Sequence, residues 1–305
     1  MVRGDLMKEK VKSHAVKNSL LEDLKLLVKF SVLVANFLPV LAGYILALHF
    51  TGQDFQWLDF VLVSFGSTLV MAGALILNNW YDTDIDSVMD RTKKRPTVTG
   101  SFTLKQVLTI GIVTTVFGFI MLVFINLETT LYAFIGWFTY VFLYTIWSKR
   151  RYTLNTVIGS VSGAVTPLIG WAAVDHAIHI VPLTLFLLLF IWQIPHTFAI
   201  AMKKCEEYRA AGVPMLPVVY GFTMTKRQMF IYIAALLPLP LFLTTLGTVF
   251  VVIAMLLNIG WIVLAIAGFF VKDDLKWAHW NFLYSVNYLM IIFLLGMVTT
   301  LPMFR

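Results

Sequence analysis

Asn78, Asp82, Asp86 and Asp90 recur every four residues where a long apolar run gives way to charge, in Asn78-Asn79-Trp80-Tyr81-Asp82-Thr83-Asp84-Ile85-Asp86-Ser87-Val88-Met89-Asp90-Arg91-Thr92-Lys93-Lys94-Arg95-Pro96. A helix continued through them stacks all four on one face. Like charges stacked in this way repel, so the stripe costs stability unless a cation lies against it. Carboxylate and carboxamide oxygens are hard ligands of the kind magnesium takes, usually one or two of them shared with substrate phosphates. Asn78, Asp82 and Asp86 are therefore the candidate metal ligands and catalytic residues. Arg91, Lys94 and Arg95 follow at once, with Lys93 between them, and supply the charge that a diphosphate lacks. The competing reading is a solvated cap between two membrane helices, which needs no metal.

Two later stretches carry the same kinds of group. Lys149-Arg150-Arg151 ends an apolar run and reads either as membrane-surface charge or as a diphosphate seat, with Lys149 and Arg150 the candidate contacts. Trp192-Gln-Ile-Pro-His196-Thr-Phe198 runs on into Lys203-Lys204-Cys205-Glu206-Glu207-Tyr208-Arg209, a second constellation of aromatic, base and acid. Glu206 and Glu207 add oxygen ligands for a metal, and Lys203 and Arg209 add diphosphate contacts. Two acidic clusters and three basic ones facing one vestibule can hold two magnesium ions and a diphosphate between them. His196, in a polar-featured part of a span, is either a hydrogen-bonded packing residue or a ligand or base.

What must position these groups is a membrane protein. Of the 305 residues 59% are hydrophobic and only 13% charged, with mean hydropathy +0.84, far from a soluble domain. A bilayer needs about 20 apolar residues per helix, and such runs lie at 28–50, 58–79, 106–126, 129–147, 154–173, 178–202, 228–246, 248–271 and 280–302. They predict an all-α membrane protein with about nine transmembrane helices. Eight remains an alternative, because Gly247 alone parts the seventh run from the eighth and the fifth is diluted by Gly159, Gly163 and Gly170. On this reading 22 of the 23 lysines and arginines fall on one side, with Arg305 alone on the other. The positive-inside rule makes that side, and the N-terminus, cytoplasmic. The net charge of +7 then calls for no nucleic acid, since topology and anionic headgroups account for it.

Residues 1–27 form a cytoplasmic or interfacial segment, within which 11–27 has the pattern of an amphipathic helix; residues 28–305 form one polytopic domain. The first 27 residues lack the apolar core of a signal peptide. Their acids and their lysine-rich character are unlike a mitochondrial transit peptide, so a bacterial plasma membrane is the expected location. Cys205 is the sole cysteine, which excludes an internal disulfide. The aromatics of the fourth run, Tyr132 to Trp147, either pack or offer a carbocation a face without a nucleophile.

The motifs are similar to those of a known family. Asn78-x-x-x-Asp82-x-x-x-Asp86 with its Arg91-Thr-Lys-Lys-Arg95-Pro96 tail resembles the signature of the intramembrane UbiA-type prenyltransferase superfamily. Asn155-Thr-Val-Ile-Gly to Pro167-Leu-Ile-Gly-Trp-Ala-Ala173, and Trp192-Gln-Ile-Pro-His-Thr-Phe through Glu207-Tyr-Arg-Ala-Ala-Gly-Val-Pro-Met-Leu-Pro217, resemble its haem-modifying branch. Ser160 and Thr166 stand where that branch commonly has Gly and Pro, and Glu206-Glu207 where it commonly has Asp-Asp. The resemblance implies a ring of nine helices around a central cavity, with Mg2+ as cofactor. It implies transfer of a farnesyl group from farnesyl diphosphate to a vinyl group of protohaem (haem B), water completing haem O. It further implies haem contacts at His196, Trp192 and Tyr208, and partners among haem A synthase or terminal-oxidase assembly factors.

Loss of diphosphate needs stabilisation of the leaving anion, which metal, lysine and arginine supply. Within the same superfamily the alternative acceptor is an aromatic quinone precursor. A transporter would place ionisable groups at the bilayer midplane, whereas here they gather at the span ends. A non-enzymatic scaffold for oxidase assembly would not need the acidic stripe.

Overall fold

The computed structural model describes residues 19–300. In chain order its helices are α1 (Leu20–Leu27), α2 (Phe30–Thr51), α3 (Trp57–Tyr81), α4 (Thr83–Val88), α5 (Pro96–Thr99), α6 (Leu104–Val123) and α7 (Leu127–Phe138). The last runs on as a π-helix over Thr139–Ser148. Then come α8 (Asn155–Ala164), α9 (Thr166–Ala172), α10 (Ile180–Lys203), α11 (Cys205–Ala210) and α12 (Leu216–Ala235), a 3-10 helix over Leu239–Leu246, α13 (Thr248–Ala267) and α14 (Asp274–Thr299). No strand occurs among the described residues. Of the expected amphipathic helix over 11–27, only residues 19–27 fall within them, and Leu20–Leu27 is helical with Ser19 as its N-cap. Residues 1–18, the rest of the expected N-terminal segment, and Arg305 lie outside.

Eight helices among the described residues are long and apolar enough to cross a membrane. The expected fifth run is the one not among them, because it divides at Val165 into α8 and α9, each shorter than a bilayer crossing. The cause is Pro167 at the first turn of α9: its ring and missing N–H break a continuous helix. Thr166 adds to the break by donating its hydroxyl to the Gly163 carbonyl at 2.6 Å. Gly247 does separate two spans, and it adopts φ +95° to do so. The seventh span starts twelve residues ahead of the expected 228, at Leu216, kinks at Gly221, and tightens to 3-10 geometry where Pro238 and Pro240 deny it α-helical bonds.

The helices pack in sequence, α2 on α3, α3 on α6, α6 on α7, then through α8, α10, α12 and α13 to α14, which returns to α2. A ring results. On α13, Val249, Val252, Leu256, Ile259, Val263 and Ile266 form an exposed apolar stripe at helical spacing, the lipid-facing side of a ring whose opposite faces bury Trp171, Trp261 and Tyr288. With that many apolar crossings the chain is a multi-pass membrane protein.

At the end of the ring away from the acidic stripe, Glu128 at the start of α7 straps down the loop before α10. Its carboxylate accepts the Ala177 N–H at 2.9 Å and meets His176 Nδ1 at 2.7 Å. The hydrogen bond to Glu128 raises the pKa of His176 above the ordinary histidine value. A raised folded-state pKa stabilises below the unfolded value, near 6.5, and that contribution is lost as pH rises through the folded pKa. Thermal midpoints followed upward from about pH 5.5 in detergent should therefore fall more steeply for the wild type than for His176→Ala. Superimposable profiles would show that the strap carries no pH-dependent stability.

Candidate active site

The site is assembled where α3 ends. Asp82 caps α3 with ψ 14° and interrupts the helix without breaking its register: its N–H reaches the Asn78 carbonyl at 2.9 Å, and the Asp86 N–H reaches the Asp82 carbonyl at 2.8 Å. Asn78, Asp82 and Asp86 consequently share a face, and all three are buried. Asp90 does not join them. The helix stops at Val88, Met89 is extended, and the Thr92 hydroxyl turns the chain by donating to the Asp86 carbonyl at 2.9 Å. Asp90 is left exposed, paired with Lys93 at 2.6 Å. The expected stripe of four is a buried three.

Cations from distant parts of the chain close on these acids. Lys149 pairs with Asp82 and Arg95 with Asp86. Arg150 grips Asp84 through two bonds of 2.7 Å, donates to the Tyr81 carbonyl at 3.0 Å, and lies 4.8 Å from the Tyr81 ring centre. Asn78 is the hub between them. Its Nδ2 donates to Asp82 at 2.7 Å and to the Thr145 hydroxyl at 2.9 Å, while its Oδ1 accepts from the Lys29 ammonium. The π-helix delivers Thr145 and Lys149 together. Its wider i→i+5 bonding, with Lys149 N–H on the Tyr144 carbonyl at 2.9 Å, is a rare geometry that is frequent at functional sites.

Electrostatics follow from this crowding. Burial works against the charged form of Lys149, but Tyr144 and the Asp82 carboxylate outweigh it, and its pKa rises. Lys29 goes the other way: burial first, then the nearby Arg95 and Lys149, hold its ammonium well below the ordinary lysine value. The Arg150 contact lowers the pKa of Asp84.

The second constellation comes close through apolar packing, with Ile85 and Met89 buried against Ala201, Val213 and Met215. Its charges have partners of their own. Glu206 pairs with Arg209 and Glu207 with Lys204, while Lys203 lies 2.9 Å from His279 and 5.2 Å from the Phe282 ring centre. Arg91 and Lys94 are exposed on the turn after Asp90. Cys205 is buried. Among the described residues no three His, Cys, Asp or Glu side chains converge as a metal cage. The oxygens of Asn78, Asp82 and Asp86 are nonetheless the hard donor type that magnesium takes. Glu207 Oε2, buried without a hydrogen-bond partner, is a further oxygen with unused lone pairs.

Beneath the charged groups lies a cavity of about 230 Å³, walled mainly by α2, α3, α7, the π-helix, α8, α9 and α10. Val70, Met71, Ala74, Leu75, Trp137 and Ile169 make it apolar, and Tyr140 and Tyr144 stand at its junction with the acids. Gln193 and Thr197 are what α10 contributes to its wall. Trp192 and His196 look elsewhere: their rings stack at 4.7 Å, and His196 Nδ1 is 2.7 Å from Ser285 Oγ on α14. Tyr208 is half-buried and stands outside the cavity lining.

Lys29, Thr145 and Asp84 are site residues that sequence reasoning did not single out. Lys29 counted there only toward the charge of one side, and no local spacing links it to Asn78 across 49 residues. Asp84 was the nearest to being legible, since it lies within the acidic run.

Residues 36–286 match the UbiA prenyltransferase family. The chain is 56% identical over 285 residues to the protoheme IX farnesyltransferase of Oceanobacillus iheyensis, covering 92% of this chain and 91% of that one. It is 52% identical over 302 residues to the protein of the same name from Bacillus cereus strain B4264, covering 97% and 98%. Among solved structures, a digeranylgeranylglyceryl phosphate synthase aligns with TM-score 0.72 at 19% identity over 92% of this chain and 98% of that one. A UbiA homologue from Archaeoglobus fulgidus bound to DMAPP and Mg2+ aligns with TM-score 0.68 at 15% identity over 90% and 98%.

Proposed function

We propose what this chain catalyses from a plain premise: it belongs to the UbiA prenyltransferase family. It transfers a farnesyl group from farnesyl diphosphate to a vinyl group of protohaem, as the names of its relatives, more than half identical over nearly its whole length, support. The observation that carries the chemistry is the buried Asn78–Asp82–Asp86 face, ringed by Lys149, Arg150 and Arg95, directly over an apolar cavity. The charged end faces the cytoplasm of a bacterial plasma membrane, on the positive-inside argument.

Asn78, Asp82 and Asp86, with Glu207 and Glu206 as further oxygens, would hold magnesium. When bound, the ion supplies charge that neutralises the leaving diphosphate. Lys149, Arg95 and Arg150 add fixed positive charge aimed where the negative charge of the departing group grows, and Lys203, Arg209, Arg91 and Lys94 extend that field outward. As the C1–O bond breaks, its electron pair leaves with the diphosphate. Tyr140 and Tyr144 present aromatic faces to the allylic cation, and the dry cavity walls keep water from it until the π pair of the vinyl group forms the new C–C bond. The cation this leaves on the former vinyl carbon is then taken by water, which gives up a proton and completes the hydroxyethylfarnesyl group. The cavity's apolar walls suit the hydrocarbon chain of the prenyl donor. Trp192, His196 and Tyr208, outside the cavity lining, are the proposed haem contacts.

The test is direct. Purified protein with protohaem, farnesyl diphosphate and magnesium should yield farnesylated haem by mass spectrometry, and chelation should stop it. An aromatic quinone precursor accepted in place of protohaem would overturn the acceptor assignment while keeping the prenyl transfer.

A further inference from the structure

We propose that Lys29 is a diphosphate-binding residue of this site, held in place by the short helix α1. The inference rests on the prenyl diphosphate reading above and extends the site into the segment ahead of the first span.

The backbone is the first observation. Lys29 has φ +49° and ψ 57°, the one non-glycine residue in the left-handed region among those described. An L-residue there is strained and persists only where its surroundings over-determine it. Those surroundings are visible. Asn79 Nδ2 donates to the Leu27 carbonyl at 2.7 Å and to the Leu26 carbonyl at 3.5 Å, satisfying the last carbonyls of α1. Leu27 itself is fully buried against Ile76 and Val107. With α1 tied down in this way, the left-handed turn at Lys29 carries the chain into α2 and directs the lysine to Asn78 Oδ1.

Charge is the second observation. Asp82 and Asp86 have Lys149 and Arg95. Among the described residues no carboxylate lies within ion-pair distance of Lys29, whose partner is a neutral carboxamide. Asp82 and Asp86 act on Lys29 only at longer range, and a partly buried ammonium with no carboxylate in direct contact is costly. An anion arriving beside Asn78 supplies that counter-ion, and the diphosphate is such an anion. Adjacent asparagines thus divide the work: Asn79 fastens α1, and Asn78 receives the lysine that α1 presents.

The experiment uses the full chain in detergent with magnesium. Wild type, Lys29→Met, Lys29→Arg and Asn79→Ala are each titrated with farnesyl diphosphate and with inorganic diphosphate, and protohaem affinity is followed by absorbance. Lys29→Met should weaken diphosphate binding roughly 10- to 100-fold, the loss expected for a charged hydrogen bond, and leave protohaem binding unchanged. Lys29→Arg should restore most of it. Loss with either diphosphate ligand supports the assignment, and which of the two is affected tells the bound ester from the freed product. Unchanged affinity for both overturns it, whether or not the thermal midpoint falls. Should Lys29→Met not fold, Asn79→Ala decides, since it frees α1 without altering site charge: weaker diphosphate binding is expected, and wild-type affinity would sink the proposal. A wild type that binds diphosphate but makes no farnesylated haem refutes the acceptor assignment alone.

Discussion

Asp82→Asn should lower turnover by about 10²–10³-fold or more, the scale seen when one preorganised electrostatic contact is removed, while the protein stays folded. Asp82 is fully buried, bonds Asn78, and is the carboxylate that holds Lys149. The substitution preserves shape but removes the charge, so Lys149 loses its counter-ion and the oxygen face loses its central anion. Breaking a buried pair costs about 3–5 kcal/mol. Lys149 is near the rim, and Arg150 keeps Asp84, so the loss should fall toward the lower end and the thermal midpoint should drop without loss of the fold. Asp90→Asn is the internal comparison. Asp90 is exposed and off the stripe, and its turnover should stay within about twofold, since surface pairs contribute little. Equal turnover in the two variants would reduce Asp82 to a structural cap.

The second large effect is on the fold. Gly170 of α9 lies against α2 so closely that a Cβ built on it would stand 1.9 Å from the Val40 carbonyl oxygen and 2.9 Å from the Tyr44 nitrogen. The contact is reciprocal, because a Cβ on Gly43 would meet the Pro167 carbonyl at 2.2 Å. Backbone meets backbone, so no side chain can swing aside. Gly170→Ala should cost at least about 1–3 kcal/mol, the usual range for overpacking, seen as a lower thermal midpoint and poorer yield in detergent. At Gly296 the same Cβ would meet Phe250 at an ordinary 3.7 Å. Gly296→Ala should be neutral or slightly stabilising, since alanine is the better helix former. Matching losses at both positions would contradict the close crossing of α2 and α9.

The acidic motif was legible because its logic is local. Four-residue spacing places Asn78, Asp82 and Asp86 on one face wherever helical register holds, and register does hold through Asp82. It fails at Asp90 for a reason that lies off the spacing: the Thr92 hydroxyl captures the Asp86 carbonyl and turns the chain. The division of the fifth span had its cause in plain view at Pro167. Apolar length by itself predicts one span over 154–173, whereas helix continuity depends on one ring and one missing N–H more than on average hydropathy.

By itself the sequence determined that this is a helical membrane protein, which end of its spans carries the charge, and that the acidic stripe faces a single way. Those properties follow from apolar length, charge placement and helical period, each confined to a few neighbouring residues. Only the tertiary structure decided which cation meets which acid. It set Lys149 on Asp82 across 67 residues and Lys29 on Asn78 across 49, and it turned Trp192 and His196 away from the cavity that Gln193 and Thr197 line. Ion pairing and cavity shape depend on where separate helices cross, and those crossings are set by close contacts such as that of Gly170 with Val40, which no local pattern encodes.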